Sequence, residues 1–574
     1  MDYTIKIGGE AGQGIQTIGN TFARLFARSG YHVFTHQDYE SRVRGGHNFY
    51  QVRFADIPVS ASVDTIDIIV ALDKESILLH EKELSPDGQI VYDSRSLKEK
   101  HEGSHFLDVP FADIAVDKGG SRIMANTVAI GSVLGMIGIK TDLLIEIIKD
   151  AFRKKGDDII DGNIAAAKAG HEYALTNCQV CSFKPAPGSK AKMLITGSDA
   201  IGFGAIASGL KFYCAYPMTP STGIMNYIAG KEEEYGIIVE QAEDEIAAIN
   251  MALGASFAGV RAMTGTSGGG FALMTEGLSL AGITETPVVI ALAQRPGPAT
   301  GLPTRTEQGD LQFALYSGHG EFPRVILAPG TPEQAFYLTN KAFEIAEQFQ
   351  IPVIIMTDQY LADSEWTLDG LDMTKVIHSD HRLGDNELRK MGSYNRHADT
   401  ESGTSPFAIP GASEHLVITD SDEHNEEGHM IEDSETRVNM MNKRLFKKLP
   451  LIQEHIAPPE IYGSSDPDII VVGWGSTYGV IKEIIDELSI TNKIAMMHFT
   501  EIYPLPFTDD FDYMSVIENS KSTICIENNA TGQFAKLIRS ETGFEFGTKI
   551  LKYDGRPFTV ESLKREINDH IRGL

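Results

Sequence analysis

Cysteine is scarce, with Cys178, Cys181, Cys214 and Cys525 the only four among 574 residues. A large chain with so few thiols is expected to be cytoplasmic and free of disulfides. One C-x-x-C pair (Cys178, Cys181) has no second pair to complete it. An iron–sulfur cluster takes four thiolates and a structural zinc site four ligands, so these read as structural or incidental thiols. Positive charge is also short: 50 Lys and Arg stand against 79 Asp and Glu, a net charge of −29. Without a basic stripe to neutralise phosphates, nucleic-acid binding is excluded. No apolar run reaches 18 residues, which argues against a membrane span. The start, MDYTIKIGGEAGQG, opens a strand at once with no basic region before it, so no signal peptide is expected. No short tandem repeat occurs.

What the chain does have is length, glycine and alternation. At about 100–200 residues per domain, 574 residues imply three or four domains. The 55 glycines cluster at the ends of apolar runs, the habit of α/β folds with tight turns beside ligands. Residues 1–180 read as a first α/β domain, with strands at Tyr3–Ile7, YHVFTH, TIDIIVALD and GQIVYDS and a small-residue helix, ANTVAIGSVLGMIG. Residues 181–192, containing FKPAPGSKAK, read as an exposed linker. Residues 193–380 alternate strands (MLITG, IIVEQ, VRAMTGT, PVVIALAQR, RVILAP, IPVIIMTD) with helices, which predicts a doubly wound parallel sheet. Residues 371–460 are polar and irregular, with DSDEHNEEGH as one stretch. They read as an arm or hinge, placed at 381–460, in which His415, His424 and His429 are solvated. Residues 461–574 return to α/β.

Four constellations carry chemistry. GGEAGQG places Gly8, Gly9, Gly12 and Gly14 between a strand and a helix, where backbone N–H groups can approach an anion. The spacing from Gly9 is not that of a dinucleotide fingerprint, and a structural turn is the competing reading. Downstream, SRVRGGHN offers Arg42, Arg44 and His47. Paired guanidiniums suit phosphates, against the plain reading of a solvated basic turn. The second constellation, AYPMTPST (215–222), uses two prolines to hold the hydroxyls of Thr219 and Ser221. A rigid loop ending in a helix N-cap explains it equally well. The third, IIVEQAEDEIAAINMALGASFAG (237–259), gathers Glu240, Glu243, Asp244 and Glu245 at a strand end. The helix after it is expected to bury Ile246, Ile249 and Leu253, while Ala247, Ala248, Ala252 and Gly254 admit another backbone. Acids favour a helix's first turn in any case. The fourth, AQRPGPATGLPTRTEQGDL (293–311), carries Arg295 and Arg305, of the type that binds a carboxylate, or that simply occupies an exposed loop.

Taken together, these motifs resemble one family. AYPMTPST looks like the Y-P-I-T-P-S signature of the 2-oxoacid:ferredoxin oxidoreductase α subunit, with Met218 in place of isoleucine. The order that follows is similar too: E-x-E before a G-A-S helix, T-x-T-S-G-G-G at 264–270, then Q-R-P-G-P-x-T-G-L-P-T-R-T-E-Q. GGEAGQG with RVRGGHN resembles the family's γ domain fused ahead of α. The resemblance implies three α/β domains: an N-terminal Rossmann-like γ domain, a thiamine-diphosphate pyrimidine-binding domain with a doubly wound parallel sheet, and a transketolase C-terminal-like domain.

The resemblance also implies roles. Glu245 matches the glutamate that contacts the aminopyrimidine of thiamine diphosphate, with Glu243 the runner-up, and Tyr216 and Pro217 fall beside that cofactor. Thr219 matches the substrate-contacting threonine. Arg305, placed ahead of Arg295, is the candidate for the substrate carboxylate. Gly9, Gly12, Gly14, Arg42 and Arg44 fall to coenzyme A. The family's G-D-G motif for diphosphate and Mg²⁺ is absent, as are cluster ligands. Both are therefore expected on a separate β subunit, in an (αβ)₂ assembly. An acidic carrier such as ferredoxin would be repelled by this acidic surface, so its dock is expected on that subunit. No metal ligand is assigned here. The implied reaction is oxidative decarboxylation of a 2-oxoacid to acyl-CoA and CO₂, with 2-oxoglutarate favoured over pyruvate, branched-chain or aryl 2-oxoacids because Arg and hydroxyls crowd 295–306. An NAD-linked dehydrogenase component and a non-catalytic nucleotide- or CoA-binding protein are the other readings.

Overall fold

Continuous apolar runs and alternating ones sort this chain into three sheets. The computed structural model describes every residue except 42–44, 179, 180, 182, 184, 186, 187, 189, 510 and 574. Two compact units emerge. The first comprises residues 1–195, 364–371 and 559–574, and the second residues 196–363 and 372–558.

The first unit is built on β1 (Asp2–Ala11), β2 (His32–Asp38), β3 (Gly45–Ala55), β4 (Ile66–Ala71), β5 (Leu84–Tyr92), β6 (Phe106–Asp108) and β7 (Met193–Thr196). Their order is β6-β5-β4-β1-β3-β2, then strand Glu365–Leu368, then β7. Strands β1, β4, β5 and β6 pair in parallel, while β3 runs antiparallel to both β1 and β2. Strand β3 is an addition to the sequence reading, although its signal was there. Tyr50, Val52 and Phe54 alternate and are buried, the period-2 pattern of a strand with one face on a core. MLITG, expected in the doubly wound sheet, instead forms β7 at the edge of this one. The small-residue helix is present at Ala125–Met136. Methyl groups on Gly131 or Gly135 would overlap the Ala167 and His171 carbonyls of helix Asp157–Asn177, and one on Gly170 would overlap that of Val128. Cys178 and Cys181 form a disulfide with Cα atoms 5.8 Å apart, a separation within bridging range, which corrects the disulfide-free expectation.

The second unit holds two sheets. Strands β8 (Phe212–Ala215), β9 (Ile238–Gln241), β10 (Ala262–Thr266), β11 (Val288–Gln294), β12 (Val325–Leu327) and β13 (Pro352–Asp358) lie in the order β12-β13-β11-β10-β8-β9, and strand Glu501–Tyr503 closes the β12 edge. All pairs among β8–β13 are parallel. Every residue of β11 and β13 is buried. Parallel strands covered on both faces must be continuously apolar, and VVIALAQ and PVIIMTD are nearly so. Strand β8 is absent from the strands read in the sequence and follows the helix Gly197–Ala207. That helix ends at Ala207, because Gly209 turns the chain at φ 80°. The second sheet of this unit is 460–463, 494–499, 469–474, 522–527, 548–551 in spatial order, parallel but for its first pair.

The polar stretch after residue 371 is not a solvated hinge. Glu285, at 1% exposure, receives Lys443 Nζ at 2.6 Å and also Lys448 Nζ, both lysines fully buried. Arg396 Nη2 donates to the Glu285 carbonyl at 2.6 Å, and Lys443 also donates to the His397 carbonyl at 3.0 Å. His424, expected in water, is buried with its ring 3.9 Å from that of His397. His415 is half-buried and bonded to the Leu388 carbonyl. The stretch folds inward because its cations have a buried anion to meet, an arrangement invisible from local composition. Burial brings Lys448 down to about 8 and His397 to about 3, while the two ammoniums hold Glu285 well below the usual carboxylate range. Glu285→Gln leaves two buried cations without their anion and is expected to cost about 3–5 kcal/mol, read as a lowered denaturation midpoint. Because the Glu285 pKa is depressed by folding, its contribution is present at neutral pH and lost as pH falls below the ordinary carboxylate range. The gap between wild type and variant is therefore expected to narrow in acid.

Candidate active site

Four contiguous parallel strands, β9-β8-β10-β11, each end in one of the motifs. Strand β8 runs into AYPMTPST, β9 into EQAEDE, β10 into TSGGG and β11 into QRPGPATG. Successive parallel strands present their C-terminal ends at one sheet edge, so four segments spread over about 100 residues converge there. Chain order reverses between β8 and β10, the switch point at which loops diverge and open a crevice.

Thr219 lies half-buried, Tyr216 is 39% exposed and Pro217 is half-buried. Ser221 stands at the N-cap of helix Thr222–Ala229, but its hydroxyl donates to the Met218 carbonyl at 2.7 Å, so it fixes the loop and not the helix. Arg295, at the end of β11, donates from Nη1 to the Thr219 carbonyl at 2.8 Å. Of the acids after β9, Glu240, Glu243 and Asp244 are exposed, whereas Glu245 is 5% exposed at the first position of helix Glu245–Phe257. Asp244 caps that helix through the Ala247 N–H at 2.7 Å, so the capping role belongs to Asp244 and Glu245 is left to point elsewhere. Ile249 and Leu253 are buried as expected, but Ile246 is 50% exposed, and a methyl on Gly254 would meet nothing within 4 Å. Space is therefore open at Gly254, toward the C-terminal half of the helix.

The three glycines at 268–270 explain how the motifs fit. A methyl at Gly270 would overlap both Glu245 Oε1 and Thr266 Oγ1, one at Gly268 would overlap the Asp310 carboxylate, and one at Gly269 would touch Met218 Cε and the Ala299 carbonyl. Bare backbone is therefore called for at Gly268 and Gly270, where the other motifs close on this one, while Gly269 is in ordinary contact range. The hydroxyls of Thr264 and Ser267 are buried there and bonded to none of the described residues.

Sequence reasoning overlooked Asp310 and two glutamines. Gln294 Oε1 accepts the Asp310 N–H at 3.0 Å. Gln308 is fully buried, donates to the Trp474 carbonyl at 2.8 Å and accepts the Asn528 N–H at 2.9 Å, tying the fourth motif to the neighbouring five-stranded sheet. Burial pushes the Asp310 carboxyl up to about 6 against the pull of Arg295. A polar residue ending a loop carries no local signal of burial, which is why these three were missed. Arg305 is half-buried, its Cβ 3.3 Å from where a methyl on Gly555 would stand.

In the first unit, Gly14 caps helix Ile15–Arg28 at φ 86°, and Gly12 has φ 95°. Gly9 lies against the Gln13 side chain, which accepts the Glu10 N–H at 2.8 Å, so the loop closes partly on itself. Arg42 and Arg44 lie outside the described residues. His47 is no solvated turn residue. It sits on β3, 2.7 Å from His80 Nε2, and His80 Nδ1 is 2.8 Å from Glu83, which also takes Lys6 Nζ at 2.6 Å. A cavity of about 500 Å³ opens beside Ile246, Asn250, His319 and Phe322. None of Thr219, Arg295, Asp310 and Glu245 lines it, so the chemistry is assigned to the motif crevice instead.

A doubly wound sheet with a buried carboxylate, an arginine and bare glycine backbone at its switch point defines an α/β enzyme of the ligand-in-crevice class. Comparison with known proteins narrows this. Residues 203–443 match a family model described as pyruvate flavodoxin/ferredoxin oxidoreductase, thiamine diphosphate binding, and residues 4–173 match pyruvate ferredoxin/flavodoxin oxidoreductase. The 2-oxoacid:ferredoxin oxidoreductase subunit alpha of a Sulfolobus species is 31% identical over 99% of this chain and 96% of its own length. The 2-oxoglutarate synthase subunit KorA of Archaeoglobus fulgidus is 48% identical over 29% of this chain and 48% of its own length. A solved 2-oxoglutarate:ferredoxin oxidoreductase from Magnetococcus marinus, with 2-oxoglutarate, coenzyme A and succinyl-CoA bound, is 32% identical, covers 99% of both chains and has a TM-score of 0.91. The chain belongs to the 2-oxoacid:ferredoxin oxidoreductase family, as its large, alpha-type subunit. The α/β architecture expected from sequence stands. No helix among the described residues is long and apolar enough to cross a membrane.

Overpacking at the crevice and filling of open space should have opposite effects. Gly270→Ala is expected to lower stability by about 1–3 kcal/mol by driving Glu245 aside. Gly254→Ala, in a helix interior facing open space, is expected to raise it by up to about 1 kcal/mol. Thermal denaturation of both variants checks the pair.

Proposed function

We propose that this subunit takes part in oxidative decarboxylation of 2-oxoglutarate to succinyl-CoA and CO₂, with electrons passed to ferredoxin, and that it works only with a β subunit. The observation that carries the reading is Glu245, the one buried carboxylate of its acidic run, set over bare glycine backbone.

The crevice fits the aminopyrimidine of thiamine diphosphate: a carboxylate for the ring nitrogen, side-chain-free glycine backbone at the start of helix Gly268–Leu273, and the unbonded hydroxyls of Thr264 and Ser267 as polar partners. When bound, that cofactor supplies the electron sink for loss of CO₂ from a 2-oxoacid. The chain's own residues do the rest. Glu245 would hold the ring nitrogen of the aminopyrimidine through its carboxyl group, where it would supply acid–base capacity. Tyr216 and Pro217 would border the cofactor. Thr219 orients the substrate. Arg295 binds the substrate carboxylate and is favoured over Arg305, because its guanidinium already sits on the Thr219 loop. Arg305 is kept for the second carboxylate of a dicarboxylate substrate. Gly9, Gly12, Gly14, Arg42 and Arg44 are assigned to coenzyme A in the N-terminal domain.

The chain has no G-D-G sequence and no fourfold thiolate set. Mg²⁺, the diphosphate contacts and the iron–sulfur cluster are assigned to the β subunit, in an (αβ)₂ assembly. Exposed Ile246 and Met251 and the open face at Gly254 suit its docking. Relatives named for 2-oxoglutarate, including the neighbour with that substrate bound, support the choice of substrate.

Glu245→Gln keeps the size of the side chain but removes its acid–base capacity. In the complex with β, turnover is expected to fall by about 10²–10⁴-fold, with assembly by gel filtration unchanged. Turnover at the wild-type rate would remove Glu245 from the mechanism.

A further inference from the structure

The crevice contains a second carboxylate, on half-buried Asp310, with one oxygen out of reach of solvent, that the reaction as described does not use. Asp310 ends the fourth motif and begins helix Leu311–Tyr316. Its N–H is held by Gln294 Oε1 at 3.0 Å, and its carboxylate faces Gly268 so closely that no side chain is tolerated there. Its Oδ2 is buried and accepts no hydrogen bond from the described residues. An anion placed like this is costly unless it is paired or protonated. The charged groups that face it are Arg295, which favours its ionised form, and Glu307, whose own carboxyl is raised by burial and by Asp310. The other elements packed around it present neutral groups: Gly268 from the glycine strip, Gln294 from β11, and Gln533, which donates to the Gly309 carbonyl at 2.7 Å.

Arg295 therefore has an anion in its field before substrate arrives. A 2-oxoacid carboxylate seated on that half-buried guanidinium brings a second negative charge toward Asp310. Like charges drawn to one cation repel each other, which favours a proton on one of the two carboxylates. The substrate is the stronger acid and stays charged on Arg295, so the protein carboxyl is the one that yields.

We propose that Asp310 takes up a proton when the 2-oxoacid carboxylate seats on Arg295, and so sets the pH dependence of substrate affinity as a positioning residue acting through that arginine. The proton comes from solvent and returns to it when the substrate carboxylate leaves, by dissociation or as CO₂. No redox change is involved. This inference rests on the assignment of Arg295 to the substrate carboxylate.

Burial holds the Asp310 carboxyl up at about 6, so it passes from partly protonated to ionised between pH 6.5 and 8.0. Affinity must fall as pH rises. The test is the KM for 2-oxoglutarate, measured by viologen reduction with the intact α–β complex, from pH 6.5 to 8.0, where the substrate is fully ionised throughout. Wild-type KM is expected to rise on the order of tenfold. In Asp310→Asn the profile is expected to flatten to within about twofold, with KM at pH 8.0 below that of wild type. Glu307→Gln is expected to keep the wild-type slope. A flat wild-type profile overturns the proposal whatever the variants do. So does an Asp310→Asn enzyme with the wild-type slope, or a slope that disappears in Glu307→Gln instead. Arg295→Gln separates the two levels of inference. If it leaves KM unchanged, the substrate site itself is misassigned; if it raises KM while Asp310→Asn keeps the slope, only the role of Asp310 fails.

Discussion

The second unit depends on one constraint: strands β9, β8, β10 and β11 run parallel and adjacent. A parallel pair cannot be closed by a tight turn, so each strand hands its chain to a crossover and every C-terminal end falls on the same edge. Covering both faces forces the strands to be apolar, which drives the polar chemistry of this chain out to the strand ends. Tyr216, Thr219, Glu245, Arg295 and Asp310 all follow a strand end within about 20 residues. The crevice is therefore a consequence of topology before it is a matter of individual side chains.

Closeness at that edge then dictates the glycines. Asp310 and Glu245 crowd Gly268 and Gly270, where a methyl would overlap their carboxylates, and Met218 comes into contact range of Gly269. The same segment leaves the buried hydroxyls of Thr264 and Ser267 unbonded. Polar atoms left unpaired in a native interior mark a place where a ligand is expected to complete the bonding. Away from the edge, the fold spends its other buried charges on structure. Glu285 with Lys443 and Lys448 pins the stretch after residue 371 to this unit, and Gln308 with Trp474 and Asn528 pins the fourth motif to the five-stranded sheet.

Much of this was legible in the sequence. Unbroken runs such as VVIALAQ and PVIIMTD have only one comfortable home, and the joint order of four motifs identified the family before any geometry was known. What escaped is instructive. Strand β8 went unread, since four residues are too few to show a period. MLITG was assigned to the wrong sheet because strand partners are not a local property. The stretch containing His424 was taken for a solvated hinge because its charges are read one at a time, whereas their partner, Glu285, lies more than 100 residues away. Asp310 was missed for the same reason. How far a carboxylate is shielded is decided by what packs around it, and the local sequence Gly-Asp does not announce that.

The central claim is that these converging motifs form half of a site for a 2-oxoacid, completed by another subunit. The most direct measurement is anaerobic: copurify the chain with its β partner and follow CoA-dependent viologen reduction across a panel of 2-oxoacids. The account predicts reduction with 2-oxoglutarate well above that with pyruvate, and none from this chain alone. Preference for another 2-oxoacid would contradict the substrate assignment. No reduction with any 2-oxoacid, in a complex that retains thiamine diphosphate and an intact cluster, would contradict the account as a whole.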